Sequence, residues 1–167
     1  QGEIMKISGI EYESIVDGPG LRNTIFVSGC EHHCEGCHNP ETWDANYGQE
    51  FTKDLQNEFI NVCKNNFLLK GITISGGDPL YIYKQEILNF LETFKKELPQ
   101  LSVWLYTGYV MTIDSLKELE NKVDVVVDGE FELEHRDITL NYRGSPNQRI
   151  INVKESIKNN EIIEEQY

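Results

Sequence analysis

Two kinds of apolar spacing alternate along this chain, and the alternation predicts strands followed by helices. Short β-branched or aromatic runs, most of them closed by glycine, are typical of buried strands. Longer segments with apolar residues three or four positions apart indicate amphipathic helices. The predicted strands span residues 21–28, 71–75, 101–106, 123–127 and 149–153, and the predicted helices span 51–69, 83–98 and 113–119.

This order of elements favours an α/β fold. Strands that alternate with helices form parallel sheets with right-handed crossovers. No repeat, low-complexity segment or linker interrupts the pattern, so we expect one domain over residues 5–154. Residues 155–167 should form a charged tail that frays. Residues 1–4 resemble the remnant of an expression tag, with Met5 as the native start.

Four successive predicted strands end in glycine-containing motifs. These are GC at Gly29, GGDP at Gly76, TGY at Gly108 and DGE at Gly129. In parallel α/β folds the ligand lies beyond the carboxyl ends of the strands. The sequence therefore predicts that these motifs meet at one edge of the sheet and surround one site.

Composition and charge exclude several classes of partner. The net charge of −13 argues against a duplex nucleic acid, because phosphate binding needs a basic surface. No run of eighteen apolar residues or secretory signal is visible, so no membrane association is expected. Cysteines clustered in one segment indicate metal or redox chemistry in the cytoplasm, whereas secreted proteins spread theirs through the chain.

Three of the four cysteines lie within one loop after the first predicted strand. Cys30, Cys34 and Cys37 are spaced C-x3-C-x2-C, which brings three thiolates to one small metal centre. One candidate is zinc, with a nearby histidine as fourth ligand. The other is a [4Fe–4S] cluster with one iron left open to a substrate or cofactor. Cys63 stands in a predicted helix, where a buried thiol is the more frequent role.

The motifs around this loop resemble those of a known enzyme group. C-x3-C-x2-C after a first strand and SGGDP after a second are similar to the motifs of radical S-adenosylmethionine enzymes. VDGPGLRNTIFVSGC resembles the entry segment of glycyl-radical activases. CEGCHNPETW, VVVDGEF and RGSPNQRI are similar to segments of the activating enzymes of anaerobic ribonucleotide reductase. These segments extend along nearly the whole chain.

The resemblance implies a fold, an oxidoreductase activity and a protein substrate. The fold would be a partial, open β/α barrel with a mostly parallel sheet and its site at the carboxyl ends of the strands. A [4Fe–4S] cluster would cleave S-adenosylmethionine reductively to a 5′-deoxyadenosyl radical, which would generate a glycyl radical on anaerobic ribonucleoside-triphosphate reductase. A low-potential electron donor would be required, for which flavodoxin is a candidate.

The resemblance also implies roles for particular residues. Cys30, Cys34 and Cys37 would bind three irons, and S-adenosylmethionine would chelate the fourth. The resemblance further implies residues that would contact S-adenosylmethionine. Gly76 and Gly77 would allow the backbone to approach it closely. Asp78 would place negative charge near the cofactor's ammonium group, Gly36, Cys37 and His38 would lie near the adenine, and Asp128 would contact the ribose or amino group.

Other interpretations of these residues stay open. The protein is alternatively a zinc-binding module, an iron–sulfur electron carrier with Cys63 as fourth ligand, or an activase of another glycyl-radical enzyme. We expect His32 and His33 to lie exposed on the cysteine loop and Trp43 to be a packing residue. Residues 17–20, of sequence DGPG, form either a tight turn or a surface that meets the partner.

Overall fold

The structure is a computed structural model that describes residues 4–37 and 40–167. Its strands and helices follow one another in the order that the spacing of apolar residues predicts, with an added strand before the first predicted one, a two-residue strand at 49–50 and a helix after the last predicted strand. The strands are β1 (Lys6–Ser14), β2 (Arg22–Val27), β3 (Gln49–Glu50), β4 (Gly71–Gly76), β5 (Ser102–Tyr106), β6 (Val125–Asp128) and β7 (Arg149–Asn152). The α-helices are α1 (Lys53–Lys64), α2 (Lys84–Glu97), α3 (Ile113–Lys117) and α4 (Val153–Asn159).

The described strands form one open sheet in the order β3-β1-β2-β4-β5-β6-β7. The four neighbouring strands β2, β4, β5 and β6 run parallel, and helices α1, α2 and α3 make the crossovers between them. β1, β3 and β7 pair antiparallel at the two sides. The predicted α/β class with a largely parallel sheet is confirmed. A closed or partly closed barrel is not confirmed, since β3 and β7 form two separate edges.

The main core lies between the helices and one face of the sheet. Strand residues such as Ile25, Ile74 and Leu105 are fully buried there. Phe59 of α1 and Leu91 of α2 pack against them from the helical layer. Burying a large apolar side chain stabilises a fold by about 1.5–3 kcal/mol, so this layer fixes the parallel strands and the edge at which their carboxyl ends meet.

The opposite face of the sheet carries a smaller cluster with aromatic residues. Trp104, Val125, Val127 and Ile150 are buried in it, and Tyr142 packs against them. Successive strand residues point to opposite faces, so Trp104 lies on this face while its neighbours Val103 and Leu105 join the main core.

The first strand was missed because its side-chain alternation is broken twice. β1 pairs with β2 with register shifts between Ile7 and Gly9 and between Glu11 and Ser14. Glu13 has a φ of 61°, a left-handed backbone conformation that L-residues seldom adopt. Each register shift adds one residue to β1, and these additions interrupt the period of two that signals a strand.

The prediction that the segment after residue 154 frays is wrong. α4 occupies most of its first half, and the Asn152 side chain caps it by accepting from Glu155 N at 2.9 Å. Beyond the helix, Glu165 N donates to Ile150 O at 2.7 Å. The tail is thus tied to β7 by backbone hydrogen bonds. Among the helices of residues 4–37 and 40–167, none has the length and apolar character needed to cross a membrane.

Candidate functional site

The three clustered cysteines lie on one cavity at the carboxyl edge of the parallel strands. Cys30, Cys34 and Cys37 line it together with Gly76 and Gly77 of the loop after β4. Cys30 N donates to Trp43 O at 3.1 Å, which ties the start of the segment to the chain beyond it, and Cys37 N donates to Cys34 O at 3.1 Å in a turn within the segment. The predicted meeting of strand-end motifs is therefore observed. We call residues 29–37 the cysteine loop and this space the loop cavity.

Burial affects the ionisation of two thiols of the cysteine loop. Within the described residues no disulfide joins any cysteine. Burial raises the pKa of the Cys30 and Cys34 thiols above its ordinary value. A positive iron centre would reverse this effect, because a coordinated thiol is deprotonated. No group of three His, Cys, Asp or Glu residues in the described part of the chain is arranged to hold a single ion.

Gly76 is required by the sheet itself. Its φ is +104°, and a Cβ there would lie 2.5 Å from Val27 N and 2.6 Å from Val27 O. Gly77 N donates to Val27 O at 2.7 Å, so the loop after β4 continues to pair with β2 as it enters the loop cavity. The glycines therefore bring backbone to the cavity wall, and close packing against β2 demands the first of them.

Gly36 must also be glycine for a structural reason. Its φ is +77°, and a Cβ there would lie 2.8 Å from Leu133 Cδ1. The residue lies at the outer side of the cysteine loop, against the short 3-10 helix Leu133–His135. His38, which the family resemblance places near an adenine, lies outside the described residues.

Asp78 is buried, and protein donors satisfy both of its carboxylate oxygens. Its exposed fraction is 1%. Thr107 Oγ1 donates to it at 2.9 Å, Gly108 N at 2.8 Å and Leu80 N at 3.0 Å. Asp78 is absent from the described lining of the loop cavity, and the structure places its carboxylate between the loops after β4 and β5.

His32 is not exposed, which corrects the expectation from the sequence. Only 7% of its side chain is accessible, and each ring nitrogen meets a carboxylate. Nε2 lies 2.6 Å from Asp78 Oδ2, and Nδ1 lies 2.7 Å from Glu130 Oε2. The hydrogen bond to Asp78, with a contribution from Glu130, raises the pKa of His32 to about 9. Carboxylates therefore engage both ring nitrogens of His32, so His32 is not free to be a fourth zinc ligand.

Asp128 is also engaged by the protein. It is 1% exposed, and Arg149 binds it through Nη2 at 2.7 Å and Nε at 3.1 Å. Met111 N donates to the same carboxylate at 2.7 Å. This arrangement ties β6 to β7 and to the segment before α3. The predicted contact with a ribose or amino group thus falls on a carboxylate whose oxygens already accept from Arg149 and Met111.

Trp43 supplies a buried donor that has no partner. It lines the loop cavity, and its Nε1 finds no hydrogen-bond acceptor among the described residues. His33, which is exposed as predicted, stacks on the indole ring with centroids 4.4 Å apart. Buried Trp N–H groups ordinarily find an acceptor, so this one indicates an acceptor that binds in the loop cavity.

Cys63 lies in the main core, as the sequence predicts. It is 2% exposed on α1 and accepts a hydrogen bond from Asn23 Nδ2 at 3.3 Å. Burial raises the pKa of its thiol to about 11. A neutral thiol on the helical side of the sheet does not belong to the loop cavity, which argues against the electron carrier that would need it as a ligand.

The residues present fit an iron–sulfur cluster better than zinc. Each thiolate of a cubane cluster binds its own iron, so three cysteines around a cavity need not converge on one point. The unpartnered Trp43 N–H suits a sulfur acceptor, since hydrogen bonds to the sulfurs are common at such clusters. A zinc site would need a fourth ligand: His32 is bound to two carboxylates, His33 stacks on Trp43, and His38 lies outside the described residues.

Comparison with known proteins gives the same result. Residues 16–151 match the family model described as a 4Fe-4S single cluster domain. The chain is 39% identical to the anaerobic ribonucleoside-triphosphate reductase-activating protein of Vibrio cholerae over 140 residues, which are 81% of this chain and 90% of that protein. It belongs to this family of activating proteins. The Escherichia coli K12 member is 41% identical over 140 residues, covering 80% of this chain and 90% of that one.

A viral member of the activating-protein family is equally similar. The protein of enterobacteria phage T4 is 41% identical over 138 residues, which are 81% of this chain and 86% of its own length. The family predicted from the motifs is therefore confirmed, as is an iron–sulfur domain. The individual cofactor contacts of Gly36, Asp78 and Asp128 stay predictions.

Sequence reasoning missed the polar residues that join the strand ends. Thr107 and Glu130 stand in the TGY and DGE motifs, and both bind the group of His32 and Asp78. The signal was present, because each follows a strand of the same parallel sheet. What the sequence lacked was any indication that a histidine of the cysteine loop would reach both motifs.

Proposed function

We propose that this protein activates an anaerobic ribonucleotide reductase by generating a glycyl radical on it, with a [4Fe–4S] cluster and S-adenosylmethionine as cofactors. The observation that carries the proposal is the placement of Cys30, Cys34 and Cys37 around one cavity with the Gly76–Gly77 backbone. The family relatives carry the activity in their names. When bound, the reduced cluster would supply the electron that cleaves S-adenosylmethionine to methionine and a 5′-deoxyadenosyl radical.

The chain's own residues position these groups and exclude competing reactions. Cys30, Cys34 and Cys37 would each hold one iron, which leaves the fourth iron for the amino and carboxylate groups of the cofactor. The Trp43 N–H would donate to a sulfur of the cluster or of a ligating thiolate. Walls formed by Tyr106 and Phe131 would shield the reacting centre from water, since both side chains line the loop cavity.

A groove on the second face of the sheet offers a place for the protein substrate. It shares Ser75, Tyr106, Phe131 and Gln148 with the loop cavity, so the two spaces are continuous. The groove continues past Asp17 and Tyr142. A partner loop that carries the target glycine could lie extended in it, whereas a small substrate would need a more enclosed pocket.

The segment before β2 borders this groove. Ile15 and Val16 expose 69% and 65% of their surfaces, and Val16 lines the groove. Two side chains hold the backbone of the adjoining residues 17–19. Arg22 Nη1 donates to Pro19 O at 3.0 Å, and Thr73 Oγ1 donates to Asp17 O at 2.8 Å. The segment therefore offers apolar side chains on a fixed backbone. Hydrogen–deuterium exchange should show protection of residues 15–22 when the reductase binds, and unchanged exchange would contradict this docking face.

The test of the activity uses anaerobic protein reconstituted with iron and sulfide. With dithionite and S-adenosylmethionine, it should release 5′-deoxyadenosine and methionine. Alanine at Cys30, Cys34 or Cys37 should abolish the product, whereas Cys63→Ala, the matched control, should retain it. Absence of product from a protein shown to carry its full cluster would overturn the proposal. Loss of the cluster on replacing Cys63 would favour an electron carrier.

The proposal includes a cytoplasmic setting, because cysteines clustered in one loop are typical of metal chemistry in a reducing compartment. The electron donor is proposed to be a low-potential protein such as a flavodoxin.

A further inference from the structure

His32 sits at the point where four strand-end loops meet. The residue belongs to the loop after β2. Its Nε2 binds Asp78 after β4, and its Nδ1 binds Glu130 after β6. Asp78 in turn accepts from Thr107 Oγ1 and Gly108 N after β5. A single imidazole thus joins the cysteine loop to the motifs that follow the three other parallel strands.

The surroundings of the ring are shaped to hold it in one orientation. A Cβ at Gly108 would lie 2.5 Å from His32 Cδ2 and 2.7 Å from Nε2, so a larger residue would displace the imidazole. The Tyr109 ring meets it edge-on, with centroids 4.5 Å apart and planes at 70°. Gly108 and Tyr109 therefore form a slot that admits the ring only because position 108 has no side chain.

The two carboxylates differ in how firmly they are held. Asp78 is fixed by protein donors and by burial, with 0% of its side chain exposed, whereas 54% of the Glu130 side chain is exposed. The bond to Asp78 is therefore the one that determines where His32, and with it the cysteine loop, can lie. The bond to Glu130 fixes the second nitrogen but can yield to solvent.

We propose that His32 is a positioning residue, which holds the cysteine loop against the Gly76–Gly77 backbone through Asp78 and so fixes the cluster relative to the S-adenosylmethionine site. The proposal rests on the proposed function. It assigns His32 no contact with the reacting atoms. Its effect on the reaction is to keep two parts of one site, carried by different strands, in a constant relationship.

Three substitutions separate the two hydrogen bonds. His32→Gln can place an amide nitrogen where Nε2 lies and keep the bond to Asp78. His32→Asn can reach only the position of Nδ1, toward Glu130. His32→Ala loses both. The control is His135→Ala, since His135 is 57% exposed and bonds only its neighbour Glu132 in the described structure.

The experiment first reconstitutes wild-type protein anaerobically and measures two quantities. One is the rate at which a chelator removes iron from the cluster, and the other is the KM for S-adenosylmethionine beside kcat for 5′-deoxyadenosine. A buried hydrogen bond accounts for up to about tenfold in such equilibria. We expect His32→Ala and His32→Asn to raise KM by about that factor and to lose iron faster, and His32→Gln to restore both quantities in large part.

Several outcomes would overturn the inference. If His32→Ala keeps its iron-loss rate and KM within twofold of wild type, His32 does not position the site. If Gln and Asn behave alike, the bond to Asp78 is not the determining one. Should the alanine variant fail to fold, Gly108→Ala displaces the same ring with His32 intact and must raise KM in the same way. A wild-type protein without product would overturn the proposed function instead, while the iron-loss comparison would still test His32.

Discussion

The side-chain amide of Asn23 donates a hydrogen bond to the sulfur of Cys63 at 3.3 Å, within the core between the sheet and α1. Asn23 is itself 1% exposed, and its amide oxygen accepts from Glu13 N at 2.9 Å. The fourth cysteine of the chain is therefore a partner in a buried polar pair that joins β1, β2 and α1. Its role in packing explains why it lies apart from the three cysteines of the loop.

Cys63 should be the least reactive thiol of the metal-free, reduced protein. Its pKa is raised to about 11 by burial, so the reactive thiolate is scarce at neutral pH. Iodoacetamide under native conditions should modify Cys34 well before Cys63, as followed by mass spectrometry of peptides. In urea all four cysteines should react. Equal rates for Cys34 and Cys63 in the folded protein would contradict the buried placement.

Arg22→Lys should destabilise the fold although the charge is kept. The Arg22 side chain is buried and donates to Thr73 Oγ1, Ile72 O and both oxygens of Ser102, and burial lowers its pKa to about 10. A lysine cannot reach these acceptors together, so we expect a loss of about 2–3 kcal/mol in the free energy of unfolding.

Urea unfolding of the metal-free protein measures this loss. The matched control is Arg136→Lys, because Arg136 is exposed and the exchange there should change stability by less than about 0.5 kcal/mol. Equal effects at the two positions would show that the buried bonds of Arg22 contribute nothing to stability.

Asp128→Asn should act on stability more than on cofactor binding. It removes the charge that pairs with Arg149 at 2.7 Å in a site where the carboxylate is 1% exposed. Because Arg149 is only partly buried, we expect the loss of its bond to a charged group to lower the free energy of unfolding by about 2 kcal/mol, with little change in KM for S-adenosylmethionine. Asp114→Asn, at a side chain that is 96% exposed, should be nearly neutral. A large rise in KM with unchanged stability would instead support the predicted contact of Asp128 with the ribose or amino group of the cofactor.

Trp43→Phe should make the cluster harder to reduce. A hydrogen bond to sulfur stabilises the reduced, more negative cluster, so its removal should shift the midpoint potential to a more negative value. Phenylalanine keeps an aromatic surface for His33. A tenfold change in the reduction equilibrium corresponds to about 59 mV for one electron.

Anaerobic redox titration followed by electron paramagnetic resonance measures this shift. Tyr47→Phe serves as control, because it removes a hydroxyl from an exposed side chain near the cysteine loop. A potential that is unchanged in Trp43→Phe would show that the buried N–H does not reach the cluster.

Much of the fold could be predicted because the central strands carry their own signal. β4 and β6 are short apolar runs closed by glycine, and amphipathic helices separate them. β1 was not predicted because two register shifts, one of them next to the left-handed Glu13, break its alternation. Residues 155–167 were expected to fray because they are highly charged. Their order depends on the Asn152 cap and on the backbone hydrogen bond from Glu165 to Ile150, which charge content does not indicate.

The site divides in the same way. The cysteines and glycines could be recognised because their spacing within a short segment reflects their chemistry. His32 could not, because its partners Asp78 and Glu130 lie 46 and 98 residues further along the chain. The buried nitrogen of Trp43 depends on how the loop packs after folding, which no local pattern encodes.

The most direct test of the central claim is electron paramagnetic resonance of an anaerobic ribonucleotide reductase incubated with this protein. The mixture would contain the reconstituted protein, S-adenosylmethionine and dithionite under strictly anaerobic conditions. A glycyl-radical signal on the reductase is expected with the wild-type protein and with Cys63→Ala, and none is expected with Cys34→Ala. A reductase without radical, beside a wild-type protein that cleaves S-adenosylmethionine, would contradict the activation of this partner.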